Sequence, residues 1–204
     1  MKCGVSRIIS ATGKATAVEL DDGQVVTADH VISSIGAPET ERLWQQPTER
    51  AISPVGALSF VETITMLDRQ PAALGWGDDT IIFFNDSAKF DYVAARDQVD
   101  PRSGVICFPN NFAYEDGREL AEGVFRCTCL ANYQSWKTLP EAAYLAAKDA
   151  WYREIQQSAR RFLPAVTSED LDAATLATDM FTPRTVEKFT GHLGGAIYGS
   201  PLKH

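Results

Sequence analysis

Four runs rich in Val, Ile, Phe and Thr follow one another from Ser59, and no long helical pattern separates them. They are SFVETITMLD, TIIFFND, SGVICFP and GVFRCTCLAN; between them lie the turn-rich segments RQPAALGWGDD, SAKFDYVAARDQVDPR and NNFAYEDGRELAE. β-Branched and aromatic side chains fit a pleated, half-buried surface. Strands joined without helical crossovers pair antiparallel. A further strand is predicted over 173–181, AATLATDMF. The expected fold class is therefore α+β, a mainly antiparallel sheet of about five strands between Ser59 and Phe181 with covering helices.

The covering element is the helix that starts near Pro140. Thr138-Leu139-Pro140-Glu141 has the form of a capping box, with Thr138 as N-cap and Glu141 reaching back. Ala147, Trp151, Ile155, Ala159 and Phe162 then form one apolar stripe, and Lys148, Arg153, Glu154 and Arg160 fall mostly elsewhere. Pro164 disfavours helical geometry in the residue before it, so the helix is expected to stop near Leu163. A second, short helix is predicted after Thr182-Pro183, capped by Thr182 and closed at Gly191.

At the other end of the chain, VSRIISAT reads as a strand, and KATAVEL and QVVTADHVISSI flank a turn at Asp22-Gly23. Both central residues of such a turn can take positive φ. The VISSIG run reads as a strand entering a buried sheet. Pro38 then suits the first turn of a short helix, APETERLWQQ.

Composition narrows the function. With 45% hydrophobic residues among 204, the chain can bury a sizeable core. A formal net charge of −8 and the lack of a Lys/Arg-rich run argue against nucleic acid and against docking on an anionic bilayer. Cys127 and Cys129 would share one face of a strand, and the spacing of Cys3, Cys107, Cys127 and Cys129 is not that of a zinc site. The four thiols read as small core residues of a reducing compartment. No run is long enough to span a bilayer and the first residues lack a signal peptide's apolar core, so a cytoplasmic protein is expected.

No nucleophile elbow, phosphate loop or zinc-protease helix occurs. Ser200-Pro201-Leu202-Lys203 matches Ser-x-x-Lys without the helix start that motif needs. What remains unexplained is the densest glycine cluster, Gly191, Gly194, Gly195 and Gly199, within the last fourteen positions. Glycines gather where φ must be positive or where something approaches the backbone closely.

GVSRIISATGKATAVELDDGQVVTADHVISSIGAPET resembles the stretch of flavoprotein oxidoreductases where a β-meander leaves and rejoins the FAD-binding domain. TPRTVEKFTGHLGGAIYGSP resembles the FAD-proximal segment of the phytoene desaturase branch of that superfamily, which includes carotenoid isomerases and retinol saturases. The middle, with FVETITMLDRQPA, VDPRSGVICFPNNF and LANYQSWKTLP, resembles a subgroup of the same branch. The resemblance implies residues 1–46 as β-meander and return strand of a partial FAD-binding α/β domain. It implies 47–181 as the substrate-binding domain and 182–204 as a helix and glycine-rich FAD-proximal segment.

It further implies that FAD contacts fall on Gly194, Gly195, Ala196 and Tyr198, with Val5 facing the adenine and Ser33 and Ser34 at the strand end that passes the cofactor. The family's Gly-x-Gly-x-x-Gly motif, which holds the pyrophosphate, has no counterpart in this sequence. The chain is thus expected to be the middle of a longer flavoenzyme and to bind FAD weakly or not at all by itself. The implied substrate is an isoprenoid, carotenoid or other hydrophobic molecule, and desaturation, saturation and isomerisation would look alike. Peripheral membrane contact is compatible with this, and no catalytic side chain stands out. A non-catalytic module that binds a hydrophobic ligand or a protein partner is the alternative.

Overall fold

A computed structural model describes residues 3–44, 53–90 and 92–197. It is α+β, with two antiparallel sheets. The small sheet consists of β1 (Val5–Ala11), β2 (Lys14–Leu20) and β3 (Val25–Thr27) in that order. At the β2–β3 turn only Gly23 takes a positive φ, 84°. Asp22 instead accepts the Gln24 N–H on its side chain at 3.0 Å, so the turn closes by an Asx bond and not by two left-handed residues.

The VISSI run departs from expectation. Residues 28–35 form no strand, and Ile32 is 96% exposed. A strand needs a partner ladder for its N–H and C=O groups, and none of the described strands lies beside this segment. Helix α1 (Ala37–Leu43) follows, with Pro38 in its first turn, and a bridge from Trp44 to Ile8 returns it to the small sheet.

The large sheet is the one the β-rich runs predict. It holds β4 (Ser59–Leu67), β5 (Ile81–Asn85), β6 (Val99–Cys107), β7 (Gly123–Ala131) and β8 (Thr175–Phe181) in the order β5-β6-β7-β4-β8. Strict alternation along β4 buries Ser59, Val61, Thr63, Thr65 and Leu67 on one face. β7 places Cys129, Cys127 and Phe125 opposite Val61, Thr63 and Thr65 on that face. The two thiols are free and buried in the core.

The inner face is covered by α3 (Glu141–Arg160), whose Ile155 and Ala159 are fully buried. Burying a side chain the size of Ile155 contributes about 1.5–3 kcal/mol. The two threonine hydroxyls on this face are matched by the same helix: Gln156 Nε2 donates to Thr63 Oγ1 at 2.9 Å, and Tyr152 Oη lies 2.6 Å from Thr65 Oγ1. Phe162 closes the stripe beyond the last turn, stacked on Phe84 at 4.8 Å between ring centres. Trp76, Phe108 and Phe125 pack as a second aromatic group, and Trp76 donates its Nε1–H to the Pro164 carbonyl at 3.2 Å.

The start of α3 is a correction. Pro140 is its N-cap, with no side-chain cap. Thr138 instead terminates a short helix α2 (Tyr133–Lys137), donating back to the Gln134 carbonyl at 3.1 Å, and Glu141 pairs with Arg184. A helix α4 (Ser168–Ala174), capped by Thr167, precedes β8, so that strand begins two residues later than predicted. Among the described residues no helix is long and apolar enough to cross a membrane.

Candidate functional site

β8 hands the chain to α5 (Pro183–Thr190) through Thr182, which is fully buried and accepts the Thr185 N–H as the sequence predicts. Its hydroxyl also meets Tyr144 Oη at 2.9 Å, fixing α5 to α3. Gly191, with φ 74°, ends the helix in the left-handed C-cap geometry. His192 then leads into a tight turn in which Gly194 and Gly195 both have positive φ, 66° and 55°.

This turn is fastened to the large sheet. Ser59 Oγ donates to the Gly195 carbonyl at 2.5 Å, and the Ile197 N–H donates to the Leu58 carbonyl at 2.9 Å. Gly195 and Ala196 are buried. A Cβ on Gly195 would stand 2.6 Å from the Pro183 carbonyl oxygen and 3.0 Å from Tyr133. The chain's own packing therefore already demands glycine there.

The same turn meets the returning segment from the small sheet. Glu39, on α1, accepts the Leu193 N–H at 2.7 Å, and His192 Nδ1 lies 3.7 Å from the same carboxylate. Ser33 Oγ lies 2.6 Å from Thr40 Oγ1, and Thr40 donates to the Gly36 carbonyl. The segment carrying Ser33 and Ser34 is thus joined to the one carrying Gly194, Gly195 and Ala196. Val5 starts β1 and is 40% exposed, opposite Leu20, with no contact to the turn among those described. Tyr198 and Gly199 lie outside the described residues.

On the sheet's outer face, away from α3, the strands present a second apolar surface. A cavity of about 450 Å³ opens there, lined by Phe60, Phe83, Phe90, Tyr92, Leu130 and Ile197, with Val105 and Thr128 on its floor. Ile197 directly follows the glycine turn, so turn and cavity share an end. None of these lining residues stands out in the sequence. The available signal is that β4 and β5 carry large apolar side chains on both faces, unlike a sheet with one wet side.

Beside the cavity sits a charged pair. Arg126 donates from Nε to Glu62 Oε1 at 2.9 Å and from Nη2 to both carboxylate oxygens at 2.6 and 2.7 Å. Thr128 Oγ1 donates to Glu62 Oε2 at 3.0 Å. Cys107 lies opposite Arg126 on β6 and is half-buried; burial pushes its thiol above the usual range.

No protein-family model matches this chain. The chain is 25% identical over 193 residues to the 4,4'-diaponeurosporene oxygenase of Staphylococcus haemolyticus (strain JCSC1435). The match covers 90% of this chain and spans 36% of the length of that protein.

Proposed function

We propose that this chain is the substrate-binding part of an FAD-dependent oxidoreductase acting on a carotenoid, another isoprenoid or a similarly hydrophobic molecule. One observation carries the reading: the apolar cavity on the outer sheet face ends at Ile197, immediately after the glycine turn. An elongated apolar ligand lying along the sheet would have one end at that turn. The distant similarity to a carotenoid oxygenase supports the ligand class.

The residues fit one side of a flavin only. Gly194 and the Ser33–Ser34 segment, brought together by Glu39, would hold the flavin edge. The chain has no Gly-x-Gly-x-x-Gly turn for a pyrophosphate. When bound, FAD would supply the two-electron chemistry. This chain's own side chains exclude water from the ligand and fix its orientation along the strands. A non-catalytic module would account for the cavity alone. It gives no reason for the join of the Ser33–Ser34 segment to the glycine turn, while the exposed Ile32 is open to a protein partner as much as to a cofactor domain.

The test has two arms. The purified chain should be colourless and bind FAD no tighter than about millimolar, roughly 4 kcal/mol. Expression with the flanking coding sequence in frame should give yellow protein that consumes a linear polyene. Stoichiometric FAD on the short chain would overturn the account of the cofactor site. A flanked protein that binds polyene but never flavin would hand the function to the non-catalytic reading.

A further inference from the structure

The outer sheet face is apolar along Phe60, Leu130, Val105 and Phe83, yet beside the cavity lining on the same face Glu62, opposite Thr128, and Arg126, opposite Cys107, form a bidentate pair. The Glu62 side chain is only 13% exposed, and burying a carboxylate costs desolvation that its partner barely returns. Two apolar residues would support the strands as well. The pair is also incompletely used. Arg126 is 41% exposed, and its Nη1 is open to an incoming acceptor because only Nε and Nη2 are engaged by protein groups among the described residues. Thr128 ties the pair to the cavity, since it lines the floor and donates to Glu62.

Resting on the proposed function, we infer that Arg126 and Glu62 bind a neutral oxygen-bearing end group, a hydroxyl or an aldehyde, at the end of the ligand remote from the glycine turn. The register sets the spacing. Phe60 is at the turn end, and Arg126 lies opposite Ile64, four residues further along β4. The guanidinium reaches back to Glu62, so the oxygen lies about 7–13 Å along the strand from Phe60 at ~3.3 Å per residue. Charge sets the class of group. Arg126 is already neutralised by Glu62, so a carboxylate would meet an unfavourable neighbour, whereas a neutral acceptor takes the spare Nη1 protons.

The experiment is displacement of N-phenylnaphthylamine, a neutral fluorescent dye, from the 204-residue chain by dodecanol, dodecanal, dodecanoate and dodecane. Dodecanol and dodecanal should displace it at about tenfold lower concentration than dodecane, the effect of one charge-assisted hydrogen bond. Dodecanoate should gain no such advantage. In the double variant Glu62→Gln/Arg126→Met, which leaves no charge unpaired, dodecane should still displace the dye and the preference for the oxygenated chains over dodecane should vanish. A wild-type chain without the preference, or a double variant that keeps it, overturns the inference and leaves the cavity reading standing. A chain that binds neither dye nor any of the four probes overturns both.

Discussion

Glu39 accepts the backbone N–H of Leu193 at 2.7 Å, across 154 positions of sequence. The carboxylate is 12% exposed and has His192 beside it, so one side chain ties the segment returning from the small sheet to the glycine turn. Glu39→Ala should cost about 1–2 kcal/mol, a charge-assisted hydrogen bond lost together with a newly unpaired N–H. The loss should be local. Hydrogen exchange at Leu193 and Gly195 should accelerate while amides of the large sheet keep their protection. Uniform acceleration across the sheet would show that Glu39 is part of the global core instead.

Gly195 gives a sharper expectation. Its φ is 55°, and a Cβ would stand 2.6 Å from the Pro183 carbonyl oxygen. Gly195→Val should therefore destabilise the chain by more than about 2 kcal/mol, since strain and a backbone clash add. Gly194→Ala should cost only about 1 kcal/mol, because its Cβ would meet Val55 Cγ1 at 3.1 Å, a side chain that can yield. Urea midpoints of the two variants check the ranking. Equal costs would mean that the Pro183 contact relaxes freely.

How much of this was legible beforehand follows from which signals are local. The large sheet could be read because its runs are rich in Val, Ile, Phe and Thr and the segments between them carry Gly, Asp and Pro. Thr182, Pro183 and Gly191 mark α5 at both ends because a cap is chemistry within a few residues. Thr138 was misleading for the same reason. Its hydroxyl serves the end of α2, and sequence does not say which neighbouring helix a threonine caps. The caps of α2 and α4, Asn132 and Thr167, carry a readable signal that went unused because the helices they start are too short to show periodicity.

The site divides in the same way. Gly194 and Gly195 could be found as backbone positions of unusual φ. The cavity could not, since it is assembled from the second faces of β4, β5, β6 and β7, a loop at Phe90 and Tyr92, and Ile197. The join between Ser33 and the glycine turn depends on Glu39, a residue that reads in sequence only as a helix-start acid. Long-range contacts leave no periodic trace.

Alkaline stability tests the core. The Cys127 thiol is held well above its ordinary range by its hydrogen bond with Cys129 and by burial, and burial raises Tyr152 as well. The folded state therefore keeps protons that the unfolded state releases, so stability is full below the ordinary thiol range and falls above it. Each such group contributes a slope of at most about 1.4 kcal/mol per pH unit, the thiol once pH exceeds about 8.5 and the tyrosine once it exceeds about 10. Urea titrations from about pH 7 to 10 should show the decline, and Cys127→Ala should flatten its first part. An identical decline in Cys127→Ala would assign it to other groups.

The last prediction concerns residues 28–35. This segment reads as an apolar strand, yet it forms none, and Ile32 is 96% exposed with Ile35 at 40%. Within this chain Ile32 has almost no buried surface to lose. Ile32→Lys should therefore change the unfolding free energy by less than about 0.5 kcal/mol, as surface substitutions do. It should also reduce aggregation, because a charge on an unpaired apolar segment blocks edge pairing between copies. Under the proposed function the same residue would be covered by the cofactor domain. In the protein with its flanking sequence, Ile32→Lys should cost about 2 kcal/mol or more, the penalty of an unpaired charge at a buried position. Paired thermal melts of the short and flanked forms, each with and without the substitution, separate the cases. A cost in the short chain would mean that Ile32 already packs against something there. No cost in either form would leave this segment outside any domain interface and count against a cofactor domain that covers it.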